Sequence, residues 1–346
     1  MRLKLLLVPL AAFALFGAFA ASTSAQDGPP GPSAGTAITT DLIAPRGMVK
    51  GPDGMIYIAE AGTGGDTNFT TPDGATVKNG FTGRISKIDP ATGARTTVAD
   101  GLPSQIGPEG DSVGPADVAF IGNTLYYVQT HGGEGYGFPD TPTGIYRVSS
   151  TGDTDLVVNL GAYNIANPTT AITDGSQPDV EVGGNPYSMI VRDGNFYVSD
   201  GNHNRLTKSD TSGNVTSVTE FPNHPVSTGI ADTASGPFYV GYLGQGPFLP
   251  EAGKVVTVAP LTGTITEIAS GVPMITDVAV SGTNVYALSF ANGFAPFTGS
   301  IQKVNADGTM STLVSGLTFA TAMMFDGNTL YVTDDGLSAL GGGKLV

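Results

Sequence analysis

Six short apolar runs, each centred on a tyrosine, set what this chain can fold into. They sit at Tyr57, Tyr126, Tyr197, Tyr239, Tyr286 and Tyr331. Each follows a turn of Gly, Asp, Asn or Ser, such as Asp193-Gly194 or Gly327-Asn328. Aromatic and β-branched residues bounded by turn residues read as strands. The last three intervals between these tyrosines are 42, 47 and 45 residues, and the first two are 69 and 71. A period of about 40 to 50 residues built from short strands marks a β-propeller, one blade per repeat.

Each repeat holds four strand-like pieces. The third repeat shows them most clearly, at Ser188–Val191, Asn195–Ser199, Arg205–Lys208 and Asn214–Val218. Its connections, Arg192-Asp193-Gly194 and Ser209–Gly213, are the polar, glycine-containing turns that hairpins need. The last repeat stops after a third strand at Gly343–Val346, whereas Ala37–Ile43 at the other end reads like the fourth strand Thr264–Ile268. The sequence therefore predicts an all-β, six-bladed β-propeller whose last blade is completed by the N-terminal strand. Such pairing removes two exposed sheet edges.

The expected organisation is a signal peptide over 1–25, a flexible leader over 26–36 and one propeller over 37–346. Arg2 and Lys4 precede the apolar stretch Leu5–Ala20, and small residues follow. That pattern implies export to the periplasm or exterior. No later stretch is long and apolar enough to span a membrane. The chain has no cysteine, so disulfides and thiol chemistry are excluded. Its formal net charge is −15, and becomes −17 if Arg2 and Lys4 leave with the leader. Nucleic acid and anionic lipid bind through basic patches, so neither is an expected partner. A monomer is expected.

The long insertions all fall after second strands (60–82, 129–143, 241–252 and 289–298) or between blades (100–114 and 161–184). In a propeller these share one face, and loops gathered on one face of a rigid scaffold carry function. They are rich in carboxylates, including Asp73, Glu109, Asp111, Asp174, Asp179 and Glu181, and in aromatics. Carboxylates offer hard ligands for Ca²⁺, and aromatic faces bind sugars or flat organic molecules. Near the central channel, Glu60, Asp117, Asp200, Asp277 and Asp334 form a candidate axial metal set. Arg46, Glu60, Tyr136 and Tyr242 are the candidate ligand contacts. The spacing Asp200-x-Asn202-x-Asn204 mimics a calcium loop but lacks its glycine and distant glutamate, so it reads better as an Asx turn. His131 is the best-placed general base.

The run Tyr197–Leu206 resembles an NHL repeat. Over most of the chain, the order of Ala44–Met48, Gly51–Gly54, Tyr57–Gly62, Gly83–Ile88, Gly114–Phe120, Asn185–Tyr187 and Asp200–Asn204 resembles the ScyD/ScyE family of exported propellers, named from the scytonemin gene cluster. That resemblance implies export and an association with pigment maturation in some members. It assigns no catalytic residue. The resulting expectation is a secreted propeller that binds a small organic ligand, glycan or protein on its loop-rich face, without chemistry. The alternative is a Ca²⁺-dependent hydrolase or lactonase of the gluconolactonase type. A quinone-dependent sugar dehydrogenase is disfavoured by the few basic residues on that face.

Overall fold

The computed structural model describes residues 35–71, 74–108, 110–169, 183–337 and 341–346. The expected signal peptide, most of the leader, and Asp73, Glu109, Asp174, Asp179 and Glu181 lie outside them. Among the described residues no helix is long and apolar enough to cross a membrane.

The strands form six antiparallel sheets. Sheet 3 keeps the sequence order of its strands, Pro186–Arg192, Asn195–Asp200, Arg205–Ser209 and Val215–Glu220. Sheet 2 (Pro115–Ile121, Thr124–Gln129, Gly144–Val148, Thr154–Asn159), sheet 4 (Ser227–Ala231, Phe238–Tyr242, Lys254–Val258, Ile265–Ser270) and sheet 5 (Ile275–Ser281, Asn284–Ser289, Gly299–Val304, Met310–Leu317) repeat the same up-and-down order. Sheet 1 opens with Pro45–Lys50 and Ile56–Glu60. Sheet 6 joins Ala322–Asp326, Thr329–Asp334 and Gly343–Leu345, and its fourth strand is Thr39–Leu42 from the other end of the chain. Thr39 faces Leu345 and Leu42 faces Gly343.

Sheet 1 departs from the sequence reading. Two segments expected as loops, 60–82 and 100–114, are largely extended. The third strand begins at Thr76 and runs to Ile88, and the fourth runs from Arg95 to Ile106. Two further strands, Thr67–Thr70 and Ser112–Val113, pair along this extension. The hairpin simply continues past the blade. Val77 is buried in it, and Asn79 and Gln105 bond across it at 2.8 Å.

The repeated tyrosines explain how sheets stack. Tyr57 of sheet 1 meets Phe120 of sheet 2 edge-on at 5.0 Å. Tyr126 meets Phe196 of sheet 3 at 4.9 Å, Tyr197 meets Phe238 of sheet 4 at 4.5 Å, and Tyr286 meets Phe325 of sheet 6 at 5.0 Å. Such offset aromatic pairs add about 0.5–1.5 kcal/mol each beyond area burial. The core is correspondingly divided into clusters between neighbouring sheets. A further cluster joins sheet 6 to sheet 1 through Leu42, Ile56, Ile58, Ile88, Tyr331 and Leu345.

Leu42 is fully buried in that cluster. Leu42→Ala is expected to cost about 2–5 kcal/mol, as for other buried leucines, although the residue lies on a four-residue terminal strand. Urea denaturation would read this. A loss below about 0.5 kcal/mol would show that the N-terminal strand contributes little to folding.

Candidate functional site

The first strand of each sheet faces a central channel, and a local irregularity repeats there. The register slips at Pro45/Met48, Pro115/Asp117, Pro186/Ser188, Ser227/Ile230 and Ile275/Asp277. A bulge re-aims side chains that a regular strand would send to opposite faces. Successive residues can therefore both face the channel. Aligning the repeats gives two stacked rings. The upper ring is Arg46, Ala116, Tyr187, Thr228, Thr276 and Thr321, and all six line a cavity on the loop-rich side. The lower ring holds Gly47, Asp117, Ser188, Gly229, Asp277 and Ala322. Five of these, all but Gly229, line a channel of about 500 Å³ below. Arg46, Ala116, Tyr187 and Thr321 border both spaces and so form the partition between them.

The upper cavity has a volume of about 150 Å³. One side is apolar, with Val226, Leu243, Phe248, Met274, Phe290 and Phe294 from the loops of sheets 4 and 5. Phe248 and Phe294 meet edge-on at 5.3 Å, and Phe290 packs on Phe319 at 5.2 Å. The other side is more polar, with Arg46, Asp111, Ser112, Thr130, Asn185 and Tyr187. One repeat position helps to create the contrast. The residue two before each upper-ring member is small or polar in sheets 1–3 (Ala44, Gly114, Asn185) and large and apolar in sheets 4–6 (Val226, Met274, Phe319).

The floor is built from Arg46 and Tyr187. Arg46 Nη1 donates to the carbonyls of Gly336 (2.6 Å) and Pro45 (3.2 Å), and Nη2 to that of Ser112 (2.6 Å). Burial pulls its pKa down, against the opposing pull of Tyr187 and Asp111. Tyr187 reaches from sheet 3 to sheet 6, its hydroxyl 3.4 Å from the Thr321 carbonyl. Burial raises its pKa, so the phenol stays neutral.

The candidate metal set does not converge. Among the described residues no three His, Asp or Glu side chains are placed to share an ion, and each of the five carboxylates serves the scaffold. Glu60 is wholly buried, takes Arg84 in a two-point pair at 2.8 and 2.7 Å, and also accepts from Ser86 Oγ and Ile43 N. Asp200 Oδ1 caps its own turn, accepting from the backbone N–H of Asn202 (3.0 Å), His203 (2.9 Å) and Asn185 (3.0 Å). This is the Asx turn expected from the sequence. Asp334 accepts from Thr318 N at 2.7 Å.

Asp117 and Asp277 are inter-sheet staples. Asp117 Oδ2 accepts from Ser188 Oγ and Met189 N of sheet 3, at 2.9 and 2.8 Å. Asp277 Oδ2 accepts from Met323 N of sheet 6 at 2.7 Å. On the opposite side each abuts a glycine of the preceding sheet, Gly47 or Gly229, where a β-carbon would overlap the carboxylate. Burial pushes the Asp117 carboxyl up to about 7, against the donors that favour its charge. Asp277 is raised well above the ordinary range by burial and by the Asp117 charge.

Of the candidate ligand contacts, Arg46 alone lines the cavity. Glu60 is sealed beneath Arg84. Tyr136 is buried and stacked on His131 at 4.3 Å, and Tyr242 is buried against Phe221 at 5.4 Å. Tyr136 packs on its own loop, and Tyr242, at the end of the strand Phe238–Tyr242, packs into the core between sheets 3 and 4. His131 is likewise buried, its Nδ1 bonded to Gln105 Oε1 at 2.9 Å, and it does not face the cavity. Sequence reasoning missed Tyr187, Ser112 and Met274 as cavity residues. The aligned position one before Asp117 and Asp277 would have found Tyr187.

No family model matches the sequence, and no curated protein matches it. Solved structures share its fold. The PQQ-bound aldose sugar dehydrogenase of Streptomyces coelicolor is 13% identical, with a TM-score of 0.58 over 90% of this chain and 95% of that one. A gluconolactonase of Xanthomonas campestris is 13% identical, with a TM-score of 0.55 over 89% and 87%. A catalytically inactive virginiamycin B lyase of Staphylococcus aureus, solved with quinupristin, is 12% identical, with a TM-score of 0.52 over 90% and 97%. Identity this low shows the architecture alone: the protein is a β-propeller. A dehydrogenase, a lactonase and a lyase share that architecture, so activity must be argued from the site.

The buried carboxylates give a pH dependence of definite sign. An unfolded aspartate loses its proton near pH 4, whereas folded Asp117 holds it to about 7. Between these values the folded state binds more protons, so stability falls as pH rises from about 4 to 7 and then levels. Asp277 acts in the same direction. The protein should therefore be more stable at pH 5 than at pH 8, and Asp117→Asn should flatten the slope. Urea midpoints across this range would measure it; a wild-type midpoint that rises from pH 5 to 8 would contradict the assignment.

Proposed function

We propose that the protein is a binding module that takes up a small, largely apolar organic molecule in the upper cavity and performs no chemistry on it. The observation that carries this reading is the wall formed by Val226, Leu243, Phe248, Met274, Phe290 and Phe294 at the loop-rich mouth. Concave, mostly apolar spaces with a few convergent polar groups are the usual form of small-molecule sites. The wall also continues outward. Leu249 follows Phe248, and Phe297 stands three residues after Phe294; they are 49% and 72% exposed. An apolar ligand would meet these residues before entering.

Backbone strain supports the same reading. Val226, Phe248, Met274 and Phe294 have φ of 56°, 59°, 53° and 59°. Left-handed backbone at bulky residues costs about 1–3 kcal/mol each, and such outliers cluster at ligand sites. The hydrolase alternative needs a metal-activated water and a free base. Its candidate carboxylates are engaged in the scaffold as described above. We further propose that the six sheets are six blades of a ring closed by Thr39–Leu42, that the protein is exported and monomeric, and that it is of the ScyD/ScyE type. The supports are the pairing of Thr39–Leu42 with Gly343–Leu345, the leader pattern and the order of motifs.

The test uses a neutral aromatic probe, 2-naphthol, in calorimetric titration and thermal unfolding. Saturation at a hundredfold excess over Kd should stabilise the protein by about 2.7 kcal/mol. Phe248→Ala should weaken binding about tenfold, and Tyr242→Phe should leave it unchanged. No heat and no thermal shift would remove the cavity reading. Calcium-dependent lactone turnover lost in Asp200→Ala would promote the hydrolase instead.

A further inference from the structure

We propose that the molecule taken up by the upper cavity carries a single carboxylate, and that Arg46 is its anchor; this rests on the cavity being a ligand site at all. The first ground is the pairing of arginines. Arg84 is paired with Glu60 and Arg205 with Glu220, each at 2.7 Å, and Arg192 with Asp232. Arg46 differs. It lies between two internal spaces, yet no described carboxylate stands within 4.0 Å of its guanidinium. Arg46 is half-buried, and a cation partly withdrawn from water without a counter-ion is costly.

The guanidinium is also only partly used. Its three hydrogen bonds to described residues all go to backbone carbonyls. A guanidinium has five N–H groups, which leaves the Nε proton and one Nη2 proton unspent. The Nε–Nη2 side is an edge on which a guanidinium can meet a carboxylate at two points. Carbonyl dipoles hold the group in place without neutralising it. Asp111, the only carboxylate among the described lining residues, lies against Gly107 of its own loop, and its charge acts on Arg46 at a distance.

A second polar group stands beside it. Ser112 lines the cavity at 2% exposure, and its hydroxyl has no hydrogen-bond partner among the described residues. Its own carbonyl accepts from Arg46 Nη2, which fixes the two residues side by side. A buried hydroxyl without a partner loses its hydration for nothing unless something fills its valence. A carboxylate oxygen seated on Arg46 would do so. The remaining surroundings select the ligand further. One cation facing an apolar wall can neutralise one anionic head on an apolar body. A polyanion would meet the net charge of −15 with no second basic group among the described lining residues.

The deciding experiment compares naphthalene-2-carboxylate with naphthalene-2-carboxamide, which have the same body and differ in charge, by calorimetric titration of the full protein at pH 7. The carboxylate should bind at least tenfold more tightly to the wild type. Arg46→Met should bring the carboxylate down to the level of the amide and leave the amide within about twofold. Arg46→Lys should restore part of the preference, and Ser112→Ala should weaken the carboxylate several-fold without affecting the amide. Thermal unfolding would check that each variant folds; if Arg46→Met does not, the wild-type comparison still decides. Equal affinity of the two probes for the wild type, or an undiminished preference in a folded Arg46→Met, would overturn the carboxylate anchor while leaving the apolar cavity. Binding of neither probe would overturn both readings.

Discussion

The structure depends on one contact made again and again, the aromatic ring of a second strand against the next sheet. No single four-stranded sheet of this size can bury both of its faces. The tyrosines at 57, 126, 197 and 286 each find an aromatic partner on the following sheet. Tyr331 instead packs with Leu42, Ile56 and Ile58, which links sheet 6 to sheet 1. Stability is therefore shared among interfaces rather than held in one central core, and the centre is left open. The six first strands crowd there, so their side chains are chosen by space and by the need for hydrogen bonds.

That crowding accounts for the acidic centre. Sheets 1–3 and 4–6 use the same device twice. A glycine (Gly47 or Gly229) makes room, an aspartate (Asp117 or Asp277) fills it, and a backbone N–H one sheet further on (Met189 or Met323) is received. The carboxylates satisfy backbone donors at the starts of the neighbouring first strands. This use of charge is expensive in a buried place, which is why both carboxyls are pushed upward. It also makes the lower channel part of the scaffold. The partition of Arg46 and Tyr187 divides it from the upper cavity.

The mouth shows the opposite economy. Large apolar residues occupy left-handed backbone in its wall, where glycine would be easier. In sheets 1–3 the corresponding repeat position is Ala44, Gly114 or Asn185. The half-apolar, half-polar cavity thus follows partly from a substitution pattern at one position of the repeat. Burial then decides the chemistry of Arg46, which keeps its charge while surrounded by carbonyls rather than carboxylates.

The sequence by itself determined the repeat, the order of the four strands that each sheet shares and the partner of the N-terminal strand, but not the two extra strands of sheet 1. These follow from periodicity and turn chemistry, which are local and legible. It also marked the loop-rich side that carries the cavity and placed Arg46 near the channel. Only the tertiary structure decided which polar side chains are free to act. Glu60 and Arg84 are 24 residues apart and Asp117 and Met189 are 72 apart, so no local pattern shows that these carboxylates are already satisfied. Tyr136 and Tyr242 looked available for the same reason, because a position in or beside a long insertion does not reveal that the rings pack on His131 and Phe221 respectively. Conversely, Tyr187 reaches the Thr321 carbonyl across 134 residues of chain. Its role exists only once six strands have been brought around one channel.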